Sequence, residues 1–297
     1  ERELGSLKVK VILNTGARDV ITQDREVKGV ILSNGATIGA DRIVLATGGL
    51  SYAFTGSTGD GLRFAASLGH RIIGPRPGLV PLKTLQKFPA RLEGLTLKNI
   101  RLKFSAGATS FISEIGEMIF TSFGVSGPLV LTLSGRIIDL LEKEKGVHMG
   151  IDFKPALSEE QLHARLLREF KENSKKSVKG VLYNLLPKNM VAVFLEVSEI
   201  AQDKKVSHLS QAERLKIVRL LKAFPLDIVA SLPLEEAMVT RGGVSLKNIN
   251  PRTMESRLIK GLYFCGEMID VDADTGGFNL QAAFSTGYLA GESAALG

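Results

Sequence analysis

The stretch that most constrains this chain is its C-terminal end, residues 261–291. It predicts a strand over Leu262–Cys265, a turn at Gly266, a paired glycine at Gly276-Gly277 and a helix from about Asn279 to Ala295. The first N–H groups of a helix have no acceptor within it, and the helix dipole adds about half a positive charge there. The pattern therefore predicts a site for a polar, electron-rich group. The alternative is a helix that is simply capped by glycines and packed on its strand.

A second element of the same kind occurs more than two hundred residues earlier. The short apolar run Asp41–Ala46 predicts a buried parallel strand, and Thr47-Gly48-Gly49 follows it. In parallel sheets, ligands bind at the carboxyl ends of the strands. Thr47-Gly48-Gly49 and Gly266-Glu267 would both lie there, so the chain is expected to form one nucleotide-binding α/β domain that is interrupted by a second domain.

The residues around the first element predict smaller pieces of structure. Lys8–Leu13 has the alternation of a strand, and Asn34-Gly35 predicts a hairpin turn between Val27–Ser33 and Thr37-Ile38. A glycine-rich loop at 56–61 precedes a helix over Leu62–Leu68, for which Thr58 or Asp60 is the predicted cap. As a phosphate cradle this loop is weak, since no lysine follows it in Walker spacing.

The middle of the chain is predicted to be first β and then helical. The predicted elements are strands over 95–104, 108–112, 117–121 and 149–153, a loop over 122–128, a helix over 129–141, and helices over 162–170, 178–186, 188–197 and 210–224. Ser158 with Gln161 and Ser210 with Glu213 have the spacing of capping boxes. Strand character returns from Ala237. These patterns divide the chain into a nucleotide-binding domain in two segments (1–74 and 246–297), a β insert (75–157 and 234–245) and a helical subdomain (158–233).

Composition narrows the classes of function. No run of about 18 apolar residues is present, and the first ten residues include no hydrophobic segment, so a soluble cytosolic protein without membrane contact is expected. One cysteine and four scattered histidines give no metal-ligand spacing. The net charge is +7, but charges alternate in sign along the predicted helices and aromatic residues make up only 6%. Nucleic acid is therefore not the expected partner, although a non-enzymatic RNA-binding module that uses the basic helical segment stays open as an alternative.

Several motifs resemble those of one known family. They are DRIVLATGG (41–49), SYAFTGSTGDG (51–61), FTSFGVSGP (120–128), VTRGGV (239–244), PRTMESR (251–257) and the run from Gly261 to Gln281. Together they resemble the bacterial BaiN/RdsA flavoproteins, which are FAD-dependent oxidoreductases of the aminoacetone-oxidase-like type. The resemblance implies a glutathione-reductase-like, Rossmann-type FAD domain interrupted by a barrel-like β insert that carries the helical subdomain.

The resemblance also implies a reaction and a binding site. Hydride transfer between flavin and a small organic substrate is expected, with NAD(P)H as a candidate electron donor. The residues that the resemblance places beside FAD are Thr47, Gly48, Gly49, Gly266, Glu267, Gly276, Gly277, Phe278, Asn279, Leu280 and Gln281. In the family, the N–H groups of the helix that starts at Asn279 point toward the pyrimidine end of the isoalloxazine, where a dipole stabilises reduced flavin.

This sequence departs from the family pattern at three places. Ser122 stands where relatives carry histidine, and Ala53 stands where they carry proline. The GxGxxG unit that binds the FAD pyrophosphate is not present in these 297 residues. The chain is therefore expected to be a C-terminal portion of a longer flavoprotein, with weak or no FAD binding of its own.

Individual polar residues have competing interpretations. Cys265 is expected to be a packed core thiol and not a redox nucleophile. Glu267 is a candidate acceptor for the flavin ribityl chain, with a loop-capping role as the alternative. A calcium site or, preferably, a polar loop beside the flavin is indicated by Asp270, Asp272 and Asp274.

Two further residues have a default structural interpretation. His70 is expected to be structural. Arg241 is expected to be a surface residue, with contact to an anionic substrate as the alternative. No residue is assigned a catalytic role.

Overall fold

A computed structural model describes residues 2–296 and divides the chain into two compact units. The first unit contains the residues up to Arg76 and those from Val239 onward, and the second contains Pro77–Met238. Of the helices that residues 2–296 form, none combines the length and the apolar character that a membrane crossing requires. The division of the sequence into three domains stays a prediction.

The first unit contains three small sheets. Its elements are α1 (Arg2–Ser6), β1 (Ala17–Gln23), β2 (Glu26–Leu32), β3 (Thr37–Gly39), β4 (Ile43–Leu45), α2 (Asp60–Ser67), β5 (Ile72–Gly78), β13 (Val239–Val244), β14 (Leu262–Phe264) and α8 (Phe278–Leu296). Strands β1, β2 and β3 form an antiparallel sheet, β5 pairs with β13, and β4 pairs with β14 in parallel. The predicted hairpin at Asn34-Gly35 and the predicted parallel strand at 41–46 are confirmed.

Two predictions in the first unit are wrong. Lys8–Leu13 forms no strand, and its apolar side chains at Val9, Val11 and Leu13 are exposed. A strand needs a neighbour for its backbone groups, and none pairs with this segment in the structure. The cap of α2 is also different, because Gly59 in the left-handed conformation precedes the helix while the Thr58 hydroxyl donates to the Asp60 carboxylate instead.

The second unit contains a closed β barrel. Its strands are β6 (Leu82–Thr84), β7 (Thr96–Ala106), β8 (Thr109–Ile112), β9 (Gly116–Thr121), β10 (Gly124–Ser126), β11 (Val147–Asp152) and β12 (Phe224–Ser231). The order β11-β12-β6-β10-β9-β7 closes on itself because β7 also pairs with β11, and β8 extends β7 as a hairpin. Alternate residues of β7, among them Leu102 and Phe104, are buried, as expected when one face of a sheet is turned toward a core.

Helices cover part of the second unit. They are α3 (Pro128–Leu141), α4 (Glu159–Glu172), α5 (Val178–Leu182), α6 (Lys188–Ser198) and α7 (Gln211–Lys222). Both predicted capping boxes are confirmed: the Ser158 and Ser210 hydroxyls each accept the N–H group three residues on, at Gln161 and Glu213, and both return bonds are present. The apolar faces of these helices join the barrel interior in one buried cluster.

Three strands of the barrel are missed by the sequence analysis, and the first of them, β6, has only three residues. The stretch 122–128, predicted as a loop, contains β10, and β12 lies where no strand is predicted before Ala237. Strand β10 has only three residues, so it is too short to show a periodic pattern. Strand β12 begins two residues after α7 ends, and Pro225 near its start marks the end of the helix but also argues against a central strand.

Candidate functional site

The ends of β4 and β14 meet at one edge of the first unit. The two strands are parallel and in register, with Ile43 opposite Leu262 and Leu45 opposite Phe264. The ladder continues beyond them, since the Cys265 amide donates to the Leu45 carbonyl at 3.2 Å. Thr47-Gly48-Gly49 and Gly266-Glu267 therefore leave the same edge side by side, as the sequence predicts.

Glycine is required at two turns of this edge. Gly48 has φ +76° and Gly266 has φ +69°, values that residues with a Cβ rarely adopt. At Gly48, an added Cβ would also lie 2.6 Å from the Ser57 hydroxyl of the glycine-rich loop. Both turns therefore favour glycine for their backbone conformation, and Gly48 also for the close approach of Ser57.

Gly49 is packed between the two loops. An added Cβ there would lie 2.6 Å from Thr240 Cβ and 3.1 Å from Glu267 Cδ. Real Cβ atoms essentially never come closer than 3.0 Å to another heavy atom. Glycine is needed at this position because of the close approach.

Thr240, in β13, joins the two loops and is a residue that the sequence analysis missed. Its hydroxyl accepts from the Leu50 amide at 2.8 Å and from the Ser51 amide at 3.0 Å, and it lies 3.1 Å from the Ser51 hydroxyl. Its own amide donates to the Glu267 carboxylate. The family motif VTRGGV surrounds it, and that motif is the one sequence signal that could have drawn attention to it.

The Glu267 carboxylate caps a loop, which is the role predicted as the alternative to a contact with the flavin ribityl chain. The carboxylate accepts the Thr240 N–H group and so caps a loop within the first unit. Its role toward a ribityl chain stays a prediction. An ionised carboxylate accepts several hydrogen bonds, so this bond alone does not fill the acceptor capacity of Glu267.

The paired glycine and α8 lie beyond Gly266 in the chain. Gly276 and Gly277 have φ +119° and +90°, and an added Cβ at Gly277 would meet open space. The Asn279 side chain fixes the preceding loop, because it accepts from the Ala273 amide at 2.9 Å and donates to the Ala273 carbonyl at 2.7 Å. The predicted helix at 279–295 is confirmed by α8.

The middle of α8 contacts the strand end directly. The Thr286 hydroxyl accepts from the Gly266 amide at 3.0 Å and donates to the Ala282 carbonyl at 2.7 Å. Thr286 is a second residue that the sequence analysis missed. It ties the helix to the Gly266 turn, while the predicted residues Leu280 and Gln281 stand in the exposed first turns.

Much of the apolar surface of α8 is uncovered. Phe284 and Tyr288 are 68% and 72% exposed, and Phe278 and Leu280 are also exposed, while Ala290 is buried. The helix thus packs on the rest of the first unit over only part of its length. A helix with this much exposed aromatic surface has a face without a partner in the structure.

The polar groups near this edge include one buried atom without a partner. Thr47 Oγ1 is buried and forms no hydrogen bond in the structure. Asp272 Oδ2 lies 3.6 Å from Arg241 Nε, so this arginine faces an acidic residue of the loop. Within residues 2–296 no group of three or more histidines, cysteines or acids is arranged to hold a metal ion.

Cys265 and His70 form part of the core beneath the site. Burial raises the pKa of the Cys265 thiol. Burial lowers the pKa of His70, and this outweighs the opposing effect of its bond to the Ala65 carbonyl. His70 Nδ1 lies 3.0 Å from that carbonyl and Nε2 lies 2.7 Å from the Ser256 hydroxyl, so both ring nitrogens have partners, and the predicted structural role agrees with this geometry.

Comparison with known families identifies the chain. The model of the family described as "HI0933-like protein Rossmann domain" matches residues 1–293. The chain belongs to the HI0933-like family. The family model describes a Rossmann domain, and the resemblance found in the sequence is confirmed.

Curated relatives of this family member are named as enzymes. The 3-dehydro-bile acid delta(4,6)-reductase of Clostridium scindens is 34% identical over 99% of this chain and 71% of its own length. The ribosomal RNA dihydrouridine synthases of Haemophilus influenzae and Escherichia coli are 31% and 30% identical, over 94% and 91% of this chain and 67% and 65% of their own lengths. The chain thus spans about two thirds of the curated relatives that it matches.

Solved structures resemble the chain only at a low level. E. coli quinol fumarate reductase FrdA covers 94% of this chain with a TM-score of 0.40 and 18% identity, and the match takes in 44% of that protein. Mycobacterium smegmatis Sdh1 has a TM-score of 0.41 and 19% identity, over 99% of this chain and 43% of that one. At these scores the likeness carries no argument about function.

Proposed function

We propose that this HI0933-like chain forms part of an FAD-dependent oxidoreductase, which transfers a hydride between flavin and a small organic substrate. The observation that carries the proposal is the parallel pair β4 and β14, whose glycine turns leave the same sheet edge. This edge is where α/β sheets bind dinucleotides. The family membership supports the same assignment.

The residues at the edge fit a dinucleotide. Gly48 and Gly266 present backbone without side chains, and Gly277 has open space before the first turn of α8. The buried Thr47 hydroxyl has an unmet hydrogen bond. Gly48, Gly49, Gly266 and the start of α8 are thus the groups that would hold the cofactor, and FAD would supply a two-electron hydride carrier there.

The relatives' names suggest the class of substrate. A delta(4,6)-reductase and a dihydrouridine synthase both add hydrogen across a carbon–carbon double bond. Such a double bond accepts hydride when a neighbouring carbonyl spreads the resulting negative charge. We therefore propose a conjugated, carbonyl-activated double bond as the group of the substrate that is reduced, with NAD(P)H as the candidate electron donor. The relatives are named as enzymes, which does not favour the non-enzymatic RNA-binding module.

The chain alone is proposed to bind FAD weakly or not at all. Strand β4 has a partner on one side only, in β14, among the described residues. The apolar side chains of α8 and of residues 9–13 are exposed, which indicates an apolar surface that a further structural unit would bury. A strand–GxGxxG–helix unit would supply both the cover and the pyrophosphate cradle.

The visible absorption spectrum tests this proposal. The chain is measured beside a version that carries a GxGxxG unit at its amino terminus, each with and without added FAD. A flavin band in the longer protein alone is the expected result. A band in both proteins would show that the glycine turns suffice, and no band in either would refute the flavin assignment.

A further inference from the structure

We infer that Thr240 is a positioning residue that sets the two strand-end loops relative to each other and thereby sets the affinity for flavin. The inference rests on the proposed function. Thr240 is 1% exposed and lies about 190 residues from Leu50 and Ser51, both of which it contacts. It touches no atom that would react, so its effect is exerted through the loops.

The Thr240 hydroxyl is fully used. A hydroxyl oxygen has two acceptor sites and one hydrogen. The Leu50 and Ser51 amides fill the two acceptor sites, at 2.8 and 3.0 Å. The remaining hydrogen is then directed to Ser51 Oγ, 3.1 Å away. The loop that follows Thr47-Gly48-Gly49 is therefore held by three bonds to one side chain.

The backbone of Thr240 holds the second loop. Its amide donates to Glu267, which directly follows the Gly266 turn. Thr240 thus forms hydrogen bonds with both loops, so the position of one loop relative to the other depends on the position of β13.

Strand β13 is itself fixed by close packing. An added Cβ at Gly243 would lie 3.0 Å from the Ile269 carbonyl carbon, and one at Gly242 would lie 2.7 Å from the Gly74 carbonyl oxygen. The Asp270 amide also donates to the Val244 carbonyl at 3.0 Å. These contacts leave β13 little freedom, so Thr240 acts as a rigid reference point for both loops.

Two variants separate the hydroxyl from the volume of the side chain. Thr240→Val keeps the shape but leaves the Leu50 and Ser51 amides buried without an acceptor, whereas Thr240→Ser keeps the hydroxyl. Ser113→Ala is the matched control, since the buried Ser113 hydroxyl likewise accepts a backbone amide, from Leu102 at 2.9 Å, within the barrel. It should lower stability without changing the flavin site.

The test measures the flavin dissociation constant by fluorescence quenching in the longer protein, well below the unfolding transition. Amide hydrogen exchange at Leu50 and Ser51 is measured in parallel. Thr240→Val is expected to raise the dissociation constant about tenfold or more and to speed exchange at both amides. Thr240→Ser and Ser113→Ala are expected to stay within about threefold of wild type.

The outcomes distinguish this inference from the proposed function. A wild-type protein that binds no flavin refutes the proposed function, and this inference with it. If wild type binds flavin and Thr240→Val binds equally tightly, only the positioning role is refuted. Unchanged exchange at Leu50 and Ser51 in Thr240→Val would refute it as well.

Discussion

Replacing Gly49 by alanine tests whether the two strand-end loops are as closely packed as the structure shows. The new Cβ would lie 2.6 Å from Thr240 Cβ and 3.1 Å from Glu267 Cδ. Gly49 has no positive φ among those recorded for the glycines, so the backbone itself accepts alanine. Any loss of stability therefore comes from the contact and not from backbone strain.

The expected size follows from what must move. Ordinary van der Waals contact begins at about 3.4 Å, so the Thr240 side chain or the loop must shift by nearly 1 Å. Overpacking of this kind costs about 1–3 kcal/mol. Moving Thr240 also weakens its bonds to the Leu50 and Ser51 amides, and a buried donor without an acceptor costs a further 1–3 kcal/mol or so. We expect Gly49→Ala to lower the free energy of unfolding by about 2–6 kcal/mol.

The single cysteine provides the assay. Cys265 is buried at the end of β14, so its reaction with a thiol reagent across a urea series reports the opening of the first unit. Gly291→Ala is the matched control, because an added Cβ in this part of α8 meets no atom within 4 Å. It should stabilise the helix by about 0.5–1 kcal/mol. If Gly49→Ala and Gly291→Ala protect Cys265 equally well, the close packing of the two loops is refuted.

Three further predictions concern other buried groups. Because burial lowers the pKa of His70, the folded protein favours the neutral imidazole. The contribution of His70 to the free energy of unfolding is therefore complete above pH 6.5 and is lost as the pH falls below that value. The urea midpoint should fall between pH 7 and 5 more steeply in wild type than in His70→Gln. The buried Asp152 carboxylate lies 2.8 Å from Lys222 Nζ, so Lys222→Met leaves it without its closest cation. Chemical denaturation should show a free energy of unfolding lower by about 3–5 kcal/mol. The double variant Lys222→Met/Asp152→Asn should recover much of that loss. Asn279→Ala removes both bonds to Ala273 and should speed amide exchange at Ala273. It should lower the free energy of unfolding by only about 1–2 kcal/mol. Unchanged exchange at Ala273 would contradict the anchoring role of Asn279.

The sequence predicts the elements whose signals are local. Short runs of apolar residues followed by glycine mark β4 and β14, and Asn34-Gly35 marks the hairpin. The capping boxes at Ser158 and Ser210 are visible from spacing alone. Each of these features depends on a few neighbouring residues, which is why pattern and structure agree.

The features that the sequence does not predict depend on distant partners. Thr240 gains its importance from amides about 190 residues away, and nothing in its local pattern specifies them. The stretch at 9–13 has the alternation of a strand, yet no strand pairs with it in the structure. Alternation predicts which face a strand would bury, but pairing needs a neighbour that the segment itself does not contain.

The geometry separates two requirements of the candidate site. The mutual position of the loops is set within the first unit, by Thr240 between Ser51 and Glu267 and by Thr286 at Gly266. The enclosure that a flavin needs is not set there, because the aromatic side chains of α8 are open to solvent. Preorganised loops reduce the free-energy cost of ordering on binding, whereas enclosure of the flavin supplies buried contact area. Loss of the Thr240 or Thr286 hydrogen bonds should therefore lower the affinity for flavin even where the flavin is fully enclosed. Enclosing this face should in turn raise affinity without moving the loops.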